Sequence, residues 1–108
     1  MQRGEVRWVE FDPAVGSEIR KTRPGIIVSN NSANRNLLRV IVVPLSSDTE
    51  RIYPGEARAS YAGTSSKAMA DQIMTTDKVR LKSRIDALSK EDMLAVEHAL
   101  QVQLALPK

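Results

Sequence analysis

Hydrophobic and polar positions follow the pattern of short β-strands over most of the chain. Six segments have this character, at residues 5–12, 24–29, 38–45, 56–60, 67–74 and 83–88. The first alternates with a period of two, whereas the apolar runs 24–29 and 38–45 are typical of strands buried on both faces. For 67–74 a helix is the alternative, because alanine and methionine favour helices. Glycine, proline and polar residues predict loops or turns at 14–22, 30–34, 46–55, 61–66 and 78–82.

The last part of the chain changes to helical periodicity. Ser89 is suited to cap the N-terminus of a helix, Asp92 lies three residues further on, and Pro107 would end the helix. One apolar stripe at helical spacing would pack on the sheet: Met93, Val96, Leu100 and Leu104. The pattern therefore predicts a mainly β (α+β) fold, a small barrel of antiparallel strands with a C-terminal helix, forming a single domain over residues 1–108.

Composition narrows the classes of function. The chain has no cysteine, which excludes disulfides, thiol catalysis and zinc–thiolate sites. No apolar run approaches the roughly 20 residues of a membrane helix, and the N-terminus has no signal-peptide segment. We therefore expect a cytoplasmic protein without a membrane partner. Sixteen Lys and Arg against 13 Asp and Glu give a net charge of +3, which only modestly favours an anionic partner.

Residues that could hold a metal or a cofactor are sparse. The one histidine, His98, lies in the middle of the predicted helix without a second ligand nearby, so an ordinary surface histidine is the better interpretation. The carboxylates Asp71, Asp77 and Asp86 are scattered, and neither a nucleophile elbow nor a phosphate-binding glycine loop occurs. The sequence predicts no metal site and no cofactor.

One segment, GSEIRKTRPG at residues 16–25, carries more donors than a plain loop needs. Pro24 pushes Arg23 into an extended conformation at the mouth of a buried strand, where its guanidinium could hold a phosphate through two hydrogen bonds. A structural ion pair between Arg23 and Glu18 explains the segment about equally well. Ser46 and Ser47 follow the third strand and would face the same cleft as Arg23 if the two strands are neighbours; otherwise they simply start a loop.

Four segments form an ordered set along the chain: RGEVRWVEFDP at 3–13, VGSEIRKTRPGIIVSN at 15–30, VVPLSS at 42–47 and KAMADQIMTTDKVRL at 67–81. Together they resemble the MazF/PemK family of toxin ribonucleases. The resemblance implies an SH3-like barrel shared with the gyrase poison CcdB, usually as a homodimer. It also implies metal-independent, sequence-specific cleavage of single-stranded RNA. The implied protein partner is a small MazE-like antitoxin whose acidic tail occupies the RNA groove.

The resemblance also implies roles for individual residues. Arg23 takes the place of the catalytic arginine and Ser46 that of the catalytic threonine, while Glu18 corresponds to a glutamate of the active-site loop. The resemblance places Phe11, Ser17, Asp71 and Gln72 near the RNA channel. Independently of it, the charges of Arg20 and Lys21 would steer the phosphates, and Ser47, beside Ser46, is expected to contact RNA. Phe11 could stack on a base, although a strand aromatic is at least as often part of the core. Lys67 departs from the family, which has a small apolar residue there, so that strand could be shifted.

Cleavage of RNA without a metal needs a base for the ribose 2′-OH, stabilisation of the added negative charge and an acid for the leaving oxygen. Arg23 and Ser46 can supply the stabilisation, but an arginine that keeps its proton is a poor base. Glu18 is the candidate base, or it orients Arg23. Two alternatives remain: a CcdB-like toxin that binds a topoisomerase without chemistry, and an inactive member that binds only RNA or a partner protein.

Overall fold

The computed structural model describes residues 1–11 and 21–107. In chain order these residues form β1 Glu5–Glu10, β2 Thr22–Ile27, α1 Asn31–Asn36, β3 Arg39–Ser46, β4 Glu56–Tyr61, β5 Thr64–Met69, β6 Met74–Asp77, β7 Leu81–Ala87 and α2 Lys90–Gln103. Single 3₁₀ turns, Ala70–Gln72 and Lys78–Arg80, precede β6 and β7. The predicted class, antiparallel strands followed by a C-terminal helix, is confirmed.

All strand pairs in the described residues are antiparallel, in the order β4-β5-β3-β2-β1-β7, and together they make a half-barrel. On one side of β3 lies β2. On the other side β6 pairs with residues 39–42 and β5 with Leu45 and Ser46. Pro44, whose position predicts an edge or a bulge, therefore lies in a central strand. It sits where β3 passes from one neighbour to the next, which accommodates a residue without an N–H.

Apolar side chains are buried on both faces of β2 and β3, as their continuous apolar runs predict. One face packs against α2 in the main core, which contains Val6, Ile26, Val43, Leu45, Ala57, Ala59, Ala68, Ala70, Val96 and Ala99. The second core contains Val9, Phe11, Ile27, Val40, Val42 and Leu81. Side chains alternate along each strand. The residues of β2 and β3 that alternate with the main-core residues Ile26, Val43 and Leu45 therefore face away from α2.

The segment 61–66 is not the expected loop. The β4–β5 hairpin turns within two residues, Ala62 and Gly63, between the paired Tyr61 and Thr64. Both turn residues have positive φ, +48° and +76°, as a tight turn matched to the strand twist requires. Two backbone N–H groups, those of Ala62 and Ala87, donate to the Asp86 carboxylate at 2.6 and 2.8 Å, and these bonds lower the pKa of Asp86.

Two other local predictions are wrong in part. Residues 31–36 form helix α1 rather than a turn, because the Asn30 side chain accepts from the Ala33 N–H at 2.8 Å and caps it. The segment 67–74 is neither one strand nor a helix, since β5 ends at Met69 and the 3₁₀ turn separates it from β6.

Helix α2 begins where the capping residues predict, with Ser89 Oγ accepting from the Asp92 N–H at 3.1 Å. Its buried face differs from the predicted stripe at the end, because Ala99 is buried whereas Leu104 lies beyond the last turn and is 48% exposed. Over residues 1–11 and 21–107, no helix is long and apolar enough to cross a membrane.

Glu5 of β1 pairs with Arg84 of β7, with Oε2 3.4 Å from Arg84 Nε, and with Arg7 of its own strand, with Oε1 3.1 Å from Arg7 Nε. Burial alone raises the pKa of Glu5. The backbone hydrogen bond from Gln2 and the hydrogen bond and charge of Arg7 outweigh burial, so the pKa lies below its ordinary value of 4.5. Glu5 therefore stays ionised in the folded protein to lower pH than it would in the unfolded chain.

Candidate active site

Arg23 lies inside strand β2, which begins one residue before it and two residues before the predicted strand. It pairs with Val9 of β1, and its side chain is exposed. Val9 belongs to the second core, so Arg23 projects from the face of the sheet that is turned away from α2. The extended backbone expected before Pro24 is confirmed.

Ser46 is the last residue of β3, and the register of the two strands brings it to Arg23. The pairs Ile27–Val42, Ile26–Val43 and Gly25–Pro44 define that register. Continued by two residues, it sets Arg23 opposite Ser46 with both side chains on the same face. The sequence predicts that Ser46 shares a cleft with Arg23 only if their strands are neighbours. Strands β2 and β3 are neighbours, so this condition is met.

The Ser46 hydroxyl has one defined partner. Its Oγ accepts a hydrogen bond from the Asp48 N–H at 3.1 Å. This contact uses a lone pair, so the hydroxyl proton can still be donated to a ligand oxygen. Together the guanidinium of Arg23 and the hydroxyl of Ser46 offer hydrogen-bond donors to an anion on this face.

Gly25 makes room beneath this pair. A Cβ atom there would lie 3.0 Å from Val9 Cγ2 and 3.4 Å from the ring of Phe11. A side chain would therefore push on two second-core residues, two positions along β2 from Arg23 and on the same face. The glycine allows β1 and β2 to pack closely where the site is built.

Lys67 is the neighbour of Ser46 on the other side, in the pair Ser46–Lys67 between β3 and β5. The strand is paired in regular register there, so the lysine does not mark a shift. Its Nζ lies 3.1 Å from Glu56 Oε1 and 3.0 Å from the Arg51 carbonyl oxygen, and it is buried. Arg58 of β4 pairs with Lys67 in turn and is exposed. Four neighbouring strands thus place Arg23, Ser46, Lys67 and Arg58 in one row.

Phe11 is 4% exposed and packs in the second core. Its N–H donates to the Lys21 carbonyl at 3.0 Å, which joins the two ends of the segment 12–20. This burial fits the core alternative for the strand aromatic, and the contact of Phe11 with RNA stays a prediction.

The remaining predicted site residues are spread over several segments. Asp71 and Gln72 lie in the 3₁₀ turn after β5, whose first residue, Ala70, donates its N–H to the Gly55 carbonyl at 3.1 Å. Ser47 and Lys21 are exposed, and Lys21 has a positive φ of 64°. The residues Ser17, Glu18 and Arg20 lie outside the described part of the chain.

Within the described part of the chain, residues that could supply other chemistry do not meet at this site. His98 is exposed on α2, which packs on the opposite face of the sheet from Arg23 and Ser46. In the described ranges, 1–11 and 21–107, no three His, Asp or Glu side chains come together as metal ligands. The described part of the site is a set of hydrogen-bond donors on paired strands, a chemistry that suits an anion.

Solved structures share this fold over the whole chain. An endoribonuclease from a Mycobacterial species, solved in complex with its cognate antitoxin, is 27% identical with a TM-score of 0.84, covering 100% of this chain and 98% of that one. MazF from Deinococcus radiodurans, at 22% identity and a TM-score of 0.85, covers 97% and 96% and shows the same fold. The class defined here is a compact antiparallel half-barrel with a donor-lined face.

Sequence relatives identify the family. Residues 2–104 match the PemK-like, MazF-like toxins of type II toxin–antitoxin systems. Endoribonuclease MazF9 of Mycobacterium tuberculosis is 35% identical over 98% of this chain and 98% of its own length. Endoribonuclease EndoA of Bacillus subtilis is 32% identical over 98% and 96%. The chain belongs to the PemK/MazF family of type II toxins, as its motifs indicate.

Proposed function

We propose that this protein is a toxin endoribonuclease that cuts single-stranded RNA at a short sequence motif without a metal ion. The observation that carries the proposal is the strand register that sets Arg23 opposite Ser46 on an open face. Support comes from its family and from two relatives, at 35% and 32% identity, that are named endoribonucleases. Cleavage of messenger RNA in the cytoplasm would stop translation and growth.

The proposed reaction is an internal transfer at phosphorus. The ribose 2′-oxygen loses its proton to a base and bonds to the adjacent phosphorus, and the bond to the 5′-oxygen breaks. That oxygen takes up a proton, which leaves a 2′,3′-cyclic phosphate and a 5′-OH end. Arg23 and Ser46 donate to the phosphate oxygens as negative charge builds up on them, and Arg23 is also the candidate acid. Glu18, outside the described residues, is the candidate base.

The proposed protein partners are a MazE-like antitoxin and a second copy of the chain. One solved structure at 27% identity is an endoribonuclease bound to its cognate antitoxin, which supports an antitoxin partner here. An acidic antitoxin tail would compete with RNA for the cations Arg23 and Arg58, because both ligands present oxyanions. The homodimer rests on the family resemblance.

The alternative of a CcdB-like toxin without chemistry is not favoured. It does not require Arg23 and Ser46 on one face, and the two sequence relatives described above are named endoribonucleases. The inactive, RNA-binding alternative differs in one result only: it predicts binding without cleavage.

The deciding experiment is cleavage of a long single-stranded RNA in excess EDTA, with fragment ends mapped. Wild type should cut at one short motif, and Arg23→Ala should lower the rate at least about 100-fold, the usual cost of losing one donor to a developing oxyanion. Arg35→Ala, an exposed arginine on α1, is the matched control and should cut normally. Normal cutting by Arg23→Ala, or intact RNA across substrates containing every short motif, would refute the proposal.

A further inference from the structure

The loop of residues 47–55 leaves the sheet directly after Ser46 and carries one aromatic residue, Tyr53. We propose that Tyr53 is a stacking platform for a nucleobase of single-stranded RNA, held in place by the buried Lys67–Glu56 ion pair. The inference rests on the proposed ribonuclease function and adds a recognition site next to the candidate catalytic pair.

The ring of Tyr53 is poised in the way a stacking surface requires. Tyr53 is one of four aromatic residues in the chain, and it is 55% exposed rather than part of a core. The ammonium of Lys67 lies 5.6 Å from the centre of the ring, within the range of a cation–π contact. The ring is therefore supported by a cation while more than half of the residue remains open to solvent.

The backbone around Tyr53 is fixed by the same pair of charges. Glu56 Oε1 accepts the Tyr53 N–H at 3.0 Å, and the Glu56 N–H donates to the Tyr53 carbonyl at 2.9 Å. Lys67 Nζ donates to the Arg51 carbonyl at 3.0 Å. The Lys67 and Glu56 side chains are only 9% and 10% exposed, so a buried ion pair secures an exposed aromatic residue. Lys67 and Glu56 act here as positioning residues.

The position of this loop indicates what kind of ligand Tyr53 would bind. Lys67 pairs with Ser46 across β3 and β5, which brings the Tyr53 platform to the strand next to the candidate phosphate site. An RNA strand whose phosphate lies between Arg23 and Ser46 would have a neighbouring base within reach of this loop. Bases that stack on aromatic rings do so with little dependence on sequence, because every base has a π-face.

The test is binding of a fluorescent pool of 2′-O-methyl RNA 12-mers of randomised sequence, which lack the attacking hydroxyl and cannot be cut. Tyr53→Ala should weaken binding about 5- to 150-fold, the usual range for one stacked base, while Tyr53→Phe should bind within about threefold of wild type. Leu94→Ala, which truncates an exposed side chain on α2, is the control and should bind as wild type does. Wild-type affinity in Tyr53→Ala, or an equal loss in Tyr53→Phe, would overturn the platform.

A spectroscopic signature separates stacking from a general loop effect. Trp8 is the only tryptophan, so Tyr53→Trp in a Trp8→Phe background places a single reporter in the loop. Its emission should be quenched as the RNA pool binds, and bound RNA without quenching would overturn stacking. Wild type that binds the pool but cuts no natural RNA would refute the ribonuclease and leave the platform standing. If Tyr53→Ala cuts RNA with an unchanged KM, the stacking platform would be refuted and the ribonuclease function would stand.

Discussion

Replacing Lys67 by methionine removes one member of a buried ion pair while keeping most of the side-chain volume. In the native protein the ammonium and the Glu56 carboxylate are 3.1 Å apart, and both side chains are about nine-tenths buried. At an effective dielectric constant of about 20, charges at that distance attract by about 5 kcal/mol before desolvation is counted. Much of this attraction is offset by the cost of burying the two charges.

Each single variant should therefore lower the free energy of unfolding by more than the intact ion pair contributes to it. Lys67→Met leaves Glu56 charged and buried, with the Tyr53 N–H as its remaining donor. We expect a loss of about 3 kcal/mol, the lower end of the range for breaking a buried pair, because that donor persists. The double variant Lys67→Met, Glu56→Gln buries no charge at this position, so it should recover about 1 to 3 kcal/mol relative to the sum of the single changes.

Urea unfolding at pH 7 measures all four proteins of this cycle. With a typical slope of about 1 to 3 kcal/mol per molar urea, the Lys67→Met midpoint should fall by about 1 to 3 M. Single changes that add within about 0.5 kcal/mol would show that the two charges do not interact. A loss below about 1 kcal/mol in Lys67→Met would show that Glu56 is not effectively buried, and the tethering of the Tyr53 loop would then lose its basis.

Three further predictions concern the β4–β5 hairpin, the β1–β7 strand pair and the candidate active site. Ala62→Asn should raise the free energy of unfolding by about 0.5 to 1 kcal/mol, since its φ of +48° suits asparagine in an Asn-Gly turn; an unchanged thermal midpoint would contradict this. The lowered pKa of Glu5 stabilises the fold above pH 4.5, and this contribution is lost as the pH falls below that value. Glu5→Gln should therefore be less stable than wild type at pH 7 and should lose less stability on acidification. Parallel pH profiles of stability for the two proteins would contradict this. Ser46→Thr should cleave RNA faster than wild type in a side-by-side assay because the added methyl group limits the hydroxyl rotamers, and an equal or lower rate would refute a rotamer penalty.

Elements with strong local signals could be predicted from the sequence, and those that depend on distant contacts could not. Helix α2 carries its own cap in Ser89, and the apolar runs of β2 and β3 need no partner to be recognised as buried strands. Helix α1 has six residues and hardly any apolar pattern. Its sequence predicts a turn, because asparagine is typical of turns, whereas Asn34 is in fact buried and donates to the Ser29 carbonyl at 2.9 Å.

The same division applies to the candidate site. Arg23 and Ser46 could be proposed from their motifs, but their alignment depends on a register that no local pattern specifies. From the sequence, Lys67 is recognisable only as a departure from the family, because its burial depends on Glu56 and the Arg51 carbonyl, which lie far from it along the chain. Tyr53 gave no signal at all, since an aromatic residue in a polar loop does not reveal which side chain supports it.

The register that aligns Arg23 with Ser46 is protected by the two cores rather than by the site itself. Ile26 and Val43 face α2, whereas Ile27 and Val42 face the second core, so a slip of one residue between β2 and β3 would set main-core residues against second-core residues. Such a slip would lose core packing on both faces at once. A strand pair that is polar on one face would resist slipping less. Burial on both faces therefore does more than stabilise the barrel: it fixes the relative position of the two donors that we propose bind one phosphate. The loop that follows Ser46 has no such core, which explains why a separate buried ion pair holds it.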